Sequence, residues 1–117
     1  MNKTVTVGVL TVTLLLMAGC GDPAAKACEV AVKTRIEYQD LSRELESKYL
    51  KLSKSTYDNR EFTLDEDERV RSLYGEHIQA KKDANSVIIN NPTCFSPKQV
   101  VEAQKIYDDA EIFLDNL

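Results

Sequence analysis

The hydrophobic positions of this chain form one uncharged opening run followed by three stripes at helical spacing. Residues 4–18 carry no charge at all. Beyond them Ala24, Ala27, Ala31, Tyr38, Leu41, Leu45, Tyr49 and Leu52 recur at steps of three, four or seven residues, which places them on one face of a helix. Lys33, Arg35, Glu37, Asp40, Arg43, Glu44 and Lys51 fall mostly elsewhere, and Ile36 and Leu50 are apolar positions off the stripe. Asp22 before Pro23 reads as an N-cap followed by the first helical residue, where the missing proline N–H costs nothing. The pattern predicts a helix over residues 23–53. Ser55-Thr56-Tyr57-Asp58-Asn59-Arg60 is rich in turn formers and loses the period.

Thr63-Leu64-Asp65-Glu66 has the form of a capping box and opens a second stripe, Val70, Leu73, Tyr74, His77, Ala80, Ala84, Val87 and Ile88. Asn90-Asn91-Pro92 stops it, so the second helix is predicted over 64–90. Ser96, Pro97 and Gln99 repeat the start signal, with Phe95 and Val100 placed as a hydrophobic staple. Val100, Ala103, Tyr107, Ala110, Leu114 and Leu117 follow, flanked by Ile106 and Phe113, giving a third helix over 97–116. No alternating β-branched run appears after residue 22. The expected fold is all-α, an up-down-up three-helix bundle with a long helical hairpin.

The arms of that hairpin match, with 28 positions from Cys28 to Thr56 and 28 from Thr63 to Asn91. At 1.5 Å per residue each arm is roughly 40 Å long. Cys28 near the start of the first helix and Cys94 between the second and third then lie at the same end. The third helix is shorter and should run out near Tyr49 and Arg71. Leu50, Leu52, Tyr57, Phe62 and Leu64 are left at a two-helix tip, an apolar patch suited to a protein partner. The competing expectation is that these side chains fold over and close the hairpin.

The opening run has the form of a secretory signal: one basic residue, Lys3, then an apolar segment too short for a stable membrane span, then small residues at a cut site. Its end, Leu16-Met17-Ala18-Gly19-Cys20, resembles the lipobox of bacterial lipoproteins, although Met17 stands where that family usually has Leu. The resemblance implies that residues 1–19 are a removed signal; residues 20–117 are then enough for one small domain, which the three stripes make helical. The resemblance also implies a diacylated Cys20 that ties the domain to the extracytoplasmic face of the bacterial membrane. The other reading is an ordinary signal peptide that leaves Cys20 a thiol.

Removing Lys3 from the 15 Lys+Arg leaves 14 against 19 Asp+Glu, a formal charge of −5. So acidic a domain offers no footprint for nucleic acid and no attraction to an anionic bilayer, so acyl chains must hold it there. With Cys20 acylated, Cys28 and Cys94 remain as an even pair in an oxidising compartment, and a disulfide between them is expected. Two isolated cysteines and His77 do not make a zinc ligand set. The acids Asp65 to Glu68 suit a helix N-terminus rather than calcium, since the spaced ligands and Gly of an EF-hand are absent.

No nucleophile elbow, metalloprotease motif or phosphate-binding loop occurs. His77, the one histidine, lies on the second stripe as a packed residue would. The expectation is therefore a non-enzymatic interaction module without cofactor, metal or small-molecule substrate. Asn91-Pro92-Thr93-Cys94-Phe95-Ser96-Pro97, followed by Val100-Val101-Glu102-Ala103, resembles a segment of small secreted helical proteins of actinobacteria and their phages. A second cysteine near the mature N-terminus, here Cys28, accompanies that segment there. Two further readings remain open: a phage-encoded superinfection-exclusion lipoprotein, alike in size and design, and a structural lipoprotein associated with the cell wall.

Overall fold

Each helix begins on the cap that its own sequence supplies. The structure, a computed structural model, describes residues 22–117, and Cys20 with the proposed signal lies outside them. Helix α1 spans Pro23–Tyr57, α2 Leu64–Asn90 and α3 Pro97–Asp115, with a single 3-10 turn, Pro92–Cys94, between the last two. The Asp22 carboxylate accepts the Ala24 N–H at 3.1 Å. Thr63 and Glu66 satisfy each other's backbone N–H groups at 3.1 and 2.8 Å, as Ser96 and Gln99 do at 3.2 and 2.9 Å. These bonds occupy donors that the first turn of a helix leaves without partners.

The three helices pack as an all-α, up-down-up bundle drawn out to 62 × 26 × 20 Å. A disulfide joins Cys28 to Cys94, with Cα atoms 5.2 Å apart, and clamps the end where α1 begins and α2 hands over to α3. Beside it the Arg35 guanidinium lies 5.6 Å from the centre of the Phe95 ring. Helix α2 is the middle element: its backbone approaches both neighbours, whereas α1 and α3 make no comparable approach to each other. The side chains repeat that order. Tyr49 of α1 meets Tyr74 of α2 at 4.6 Å, and Tyr74 meets Phe113 of α3 at 5.1 Å.

The core is made of small side chains. Among the described residues its buried apolar members are Val70, Ile78 and Ile88 with Ala31, Ala80, Ala84, Ala103 and Ala110, and no large side chain is fully enclosed. Alanines at the seam let helices approach closely but remove little apolar area from water each. A thin core of this kind leaves the disulfide a large share of the stability.

Three expectations are corrected. Helix α1 continues four residues past Ser53, and Ser55, Thr56 and Tyr57 are helical rather than loop. Thr56 is buried inside the hairpin and Ser55 Oγ donates to the Leu52 carbonyl, so packing and a local bond override turn propensity. On α1, Ala24 and Leu41 face solvent, and the seam takes the polar residues Ser42 and Thr56 instead. On α2, Ile78 is buried although it lies off the expected stripe, because a middle helix needs a second packed face for α3.

Helix α3 ends where its length predicts, with Leu117 against Gly75 of α2. A Cβ at Gly75 would lie 3.0 Å from Leu117 Cδ1, but Leu117 is 58% exposed and its side chain has room to turn away. Gly75→Ala should therefore raise stability by about 0.5–1 kcal/mol through helix propensity, measured by urea unfolding. A loss of stability would mean that Leu117 is held in place.

Candidate functional site

The hairpin tip is built by the last turn of α1, the loop 58–63 and the first turn of α2. Asp58 N–H closes α1 on the Lys54 carbonyl at 3.0 Å, Asn59 Oδ1 accepts the Glu61 N–H at 3.1 Å, and Phe62 N–H reaches the Asn59 carbonyl at 3.3 Å. This small turn brings Phe62 edge-on to Tyr57 with ring centres 5.0 Å apart. The Tyr57 hydroxyl donates to Asp67 Oδ1, and Arg71 Nε donates to the other oxygen of that carboxylate at 3.0 Å. Tyr57 and Phe62 therefore do close the hairpin, yet each remains 40% exposed.

The other three tip residues are placed differently. Leu64, the first residue of α2, is 87% exposed, and Leu50 is 58% exposed. Leu50 and Tyr57 are seven residues apart and share a face of α1. Leu52 is half-buried and lies with Ser55, Thr56, Glu66 and Arg69 around a shallow depression of about 110 Å³. That is well below the ~300–1,000 Å³ of a typical small-molecule pocket. The surface here is an apolar projection and not a cleft.

The hydrogen bonds at the tip shift the acids and the phenol that make them. The hydrogen bond from Tyr57 is the main cause that keeps the Asp67 carboxyl below its usual 3.8, with Arg71 adding to it; the same bond raises the Tyr57 phenol above its usual 10.0. The Thr63 backbone N–H likewise lowers Glu66 below 4.5. A lowered carboxylate contributes stability above its unfolded pKa and loses it as pH falls through the folded value. A raised phenol contributes below 10.0 and loses its share as pH rises through the folded value. Tyr57→Phe should thus narrow the stability difference between pH 7 and pH 2.5, seen as a smaller shift in thermal midpoint than in the parent. Equal shifts would show that the Tyr57–Asp67 bond adds nothing in solution.

Halfway along the hairpin lies a constellation that the sequence reading missed. His77 is buried; its Nδ1 lies 2.9 Å from the Ser42 carbonyl and 3.0 Å from Ser42 Oγ, and its Nε2 lies 3.6 Å from Glu46 Oε2. Serine, histidine and carboxylate in contact invite comparison with a nucleophilic triad. There the ring nitrogen facing serine must accept its proton. Here a carbonyl can only accept, so Nδ1 carries the proton and donates to it, while Ser42 Oγ lies 3.4 Å from the His77 carbonyl as a donor. The backbone N–H groups around this mid-helix serine serve the helix ladder, so none is placed to hold an oxyanion. The arrangement is a two-way tie between α1 and α2. The signal was present, since Ser42 stands four residues after Tyr38 and three before Leu45, but only a stripe that admits polar members contains it.

Cys28 and Cys94 are joined at the opposite end of the rod, and Cys20 lies outside the described residues. Among the described residues no group of His, Cys, Asp and Glu is placed to hold a metal ion, and no helix is long and apolar enough to cross a membrane. Fold and geometry define a disulfide-clamped helical rod with an aromatic hairpin tip. No protein family, no curated protein and no solved structure matches the chain.

Proposed function

We propose that the chain is an extracytoplasmic bacterial lipoprotein, anchored through Cys20, whose helical rod presents its hairpin tip to a protein partner at the cell envelope. The observation that carries this reading is the polarity of the rod. Only Gly21 and Asp22 separate Cys20 from α1 at the clamped end, while Leu64, Leu50, Tyr57 and Phe62 stand exposed at the other. The uncharged run ending in Ala18-Gly19-Cys20 supports the anchor, and the disulfide fits an oxidising compartment.

Two measurements test it. Cys20→Ala should move the protein out of the membrane fraction or leave it unprocessed; an unmodified Cys20 on protein recovered from the medium would refute the anchor. A photo-crosslinking side chain at Leu64 or Leu50 should give a discrete adduct in cells that the same group at Ile112, 62% exposed on α3, does not. Leu64→Ser should abolish that partner contact while changing stability by no more than about 0.5 kcal/mol, as exposed substitutions do. An adduct at Ile112 alone would move the functional surface to α3.

A further inference from the structure

The outer face of α1 changes character along its length. Ala25, Val32 and Ile36 fall within about 40° of one another at 100° per residue, and Val32 and Ile36 are 36% and 44% exposed. The same line then turns polar through Gln39, Arg43 and Ser47 before becoming apolar again at Leu50 and Tyr57. The strip at the clamped end spans roughly 16 Å of helix. No described element covers it: α2 packs on the side of α1 that carries Ala31, Ser42 and Thr56, and α3 packs on α2.

We infer that this strip lies in the surface of the lipid bilayer, so that α1 rests on the membrane over its first four turns instead of standing upright from it. The inference rests on the anchor proposed above. Cys20 and Gly21 are all that separates the lipid from Asp22, and α1 is a continuous helix from Pro23. Two residues extend at most about 7 Å, so the first turns cannot leave the headgroup region. An upright rod would lift Ile36 roughly 20 Å above the anchor and leave the strip in water. A tilted rod buries it in the interface beside the acyl chains. Charges at the margin fit that position. Glu29, Lys33 and Glu37 border the strip on one side; Glu29 lies 3.9 Å from Lys26, and all three side chains are long enough to carry their charges to the headgroups while the apolar residues sink below them. With α1 unbroken, only tilt lifts the distal end: the polar residues Gln39, Arg43 and Ser47 on this line fall where a tilted rod has risen out of the interface, and Leu64 at the tip is carried clear of it.

The chain contains no tryptophan, so a single introduced indole reports its own surroundings. Residues 20–117 contain the three helices and the bridge entire. With Cys28 and Cys94 oxidised, Cys20 is the one free thiol and can be coupled to a maleimide lipid in phosphatidylcholine vesicles with brominated acyl chains. Ile36→Trp should then emit at shorter wavelength and be quenched several-fold more strongly than Ile112→Trp, and adding Val32→Ser to the Ile36→Trp protein should weaken that quenching. If the indole of Ile36→Trp were as open to aqueous iodide as that of Ile112→Trp, or if bromine quenched the two alike, the inference would be overturned. A concentration-dependent blue shift of the Ile36→Trp protein without vesicles would overturn it too, by showing that a second copy covers the strip. Because the lipid is attached chemically, these outcomes are independent of whether cells acylate Cys20, which the fractionation of Cys20→Ala decides separately.

Discussion

Replacing Cys28 and Cys94 together by alanine is expected to lower stability by about 4 kcal/mol, the value the loop-closure relation gives for a bridge between residues 66 apart. A domain of this size has only about 5–15 kcal/mol in total. The core cannot make up the loss, since five of its eight buried apolar residues are alanines. Helix α3 is the element most exposed to it, because α3 packs on α2 without a comparable approach to α1. The thermal midpoint should fall by roughly 15–30 °C, at about 4–8 °C per kcal/mol. Differential scanning calorimetry of parent and double variant, with reductant added to the parent as a second route, measures this. A midpoint within a few degrees of the parent would mean that the bridge constrains a region already held by packing.

The second large effect is expected at the alanine seam. Ala84 of α2 is only 2% exposed. Leucine there adds three carbon atoms in a contact that has no room for them, forcing the helices apart or the side chain off its rotamer. Overpacking of this kind costs about 1–3 kcal/mol. Ala24→Leu is the control: Ala24 belongs to the hydrophobic stripe read from the sequence yet faces solvent, and its substitution should stay within about 0.5 kcal/mol. Urea unfolding of both variants separates a seam alanine from a merely helical one. Equal effects would mean that the seam is loose enough to accept leucine.

Some features of the tip were legible along the chain and others were not. The tip residues Leu50, Tyr57, Phe62 and Leu64 could be located from helix lengths alone. Their unequal exposure could not, because the Asn59 turn decides that Phe62 packs edge-on to Tyr57 while Leu64 stands clear. The Tyr57–Asp67 bond joins two elements ten residues apart and has no sequence pattern of its own. It makes Tyr57 both a closing residue and a partly exposed one, so Leu64 and Leu50 are the cleaner probes of the proposed partner surface.

The class of fold, the helix starts and the cysteine pairing can all be read along the chain. The first two follow from interactions within a few residues: Asp22, Thr63 and Ser96 cap nearby N–H groups, proline fixes the first turn, and apolar spacing declares a helix. The disulfide could be expected because, with Cys20 set aside, Cys28 and Cys94 are an even pair and the hairpin brings both to one end. The tertiary structure alone decided which residues of each helix are inside. A polar side chain becomes a core residue when a partner across the interface satisfies it, as His77 does for Ser42, and that partner is 35 residues away. Helix α2 carries two packed faces because it lies between two helices, so Ile78 is buried beyond what one stripe predicts. Local chemistry is written along the chain, whereas burial depends on what lies opposite, and only the assembled rod supplies that.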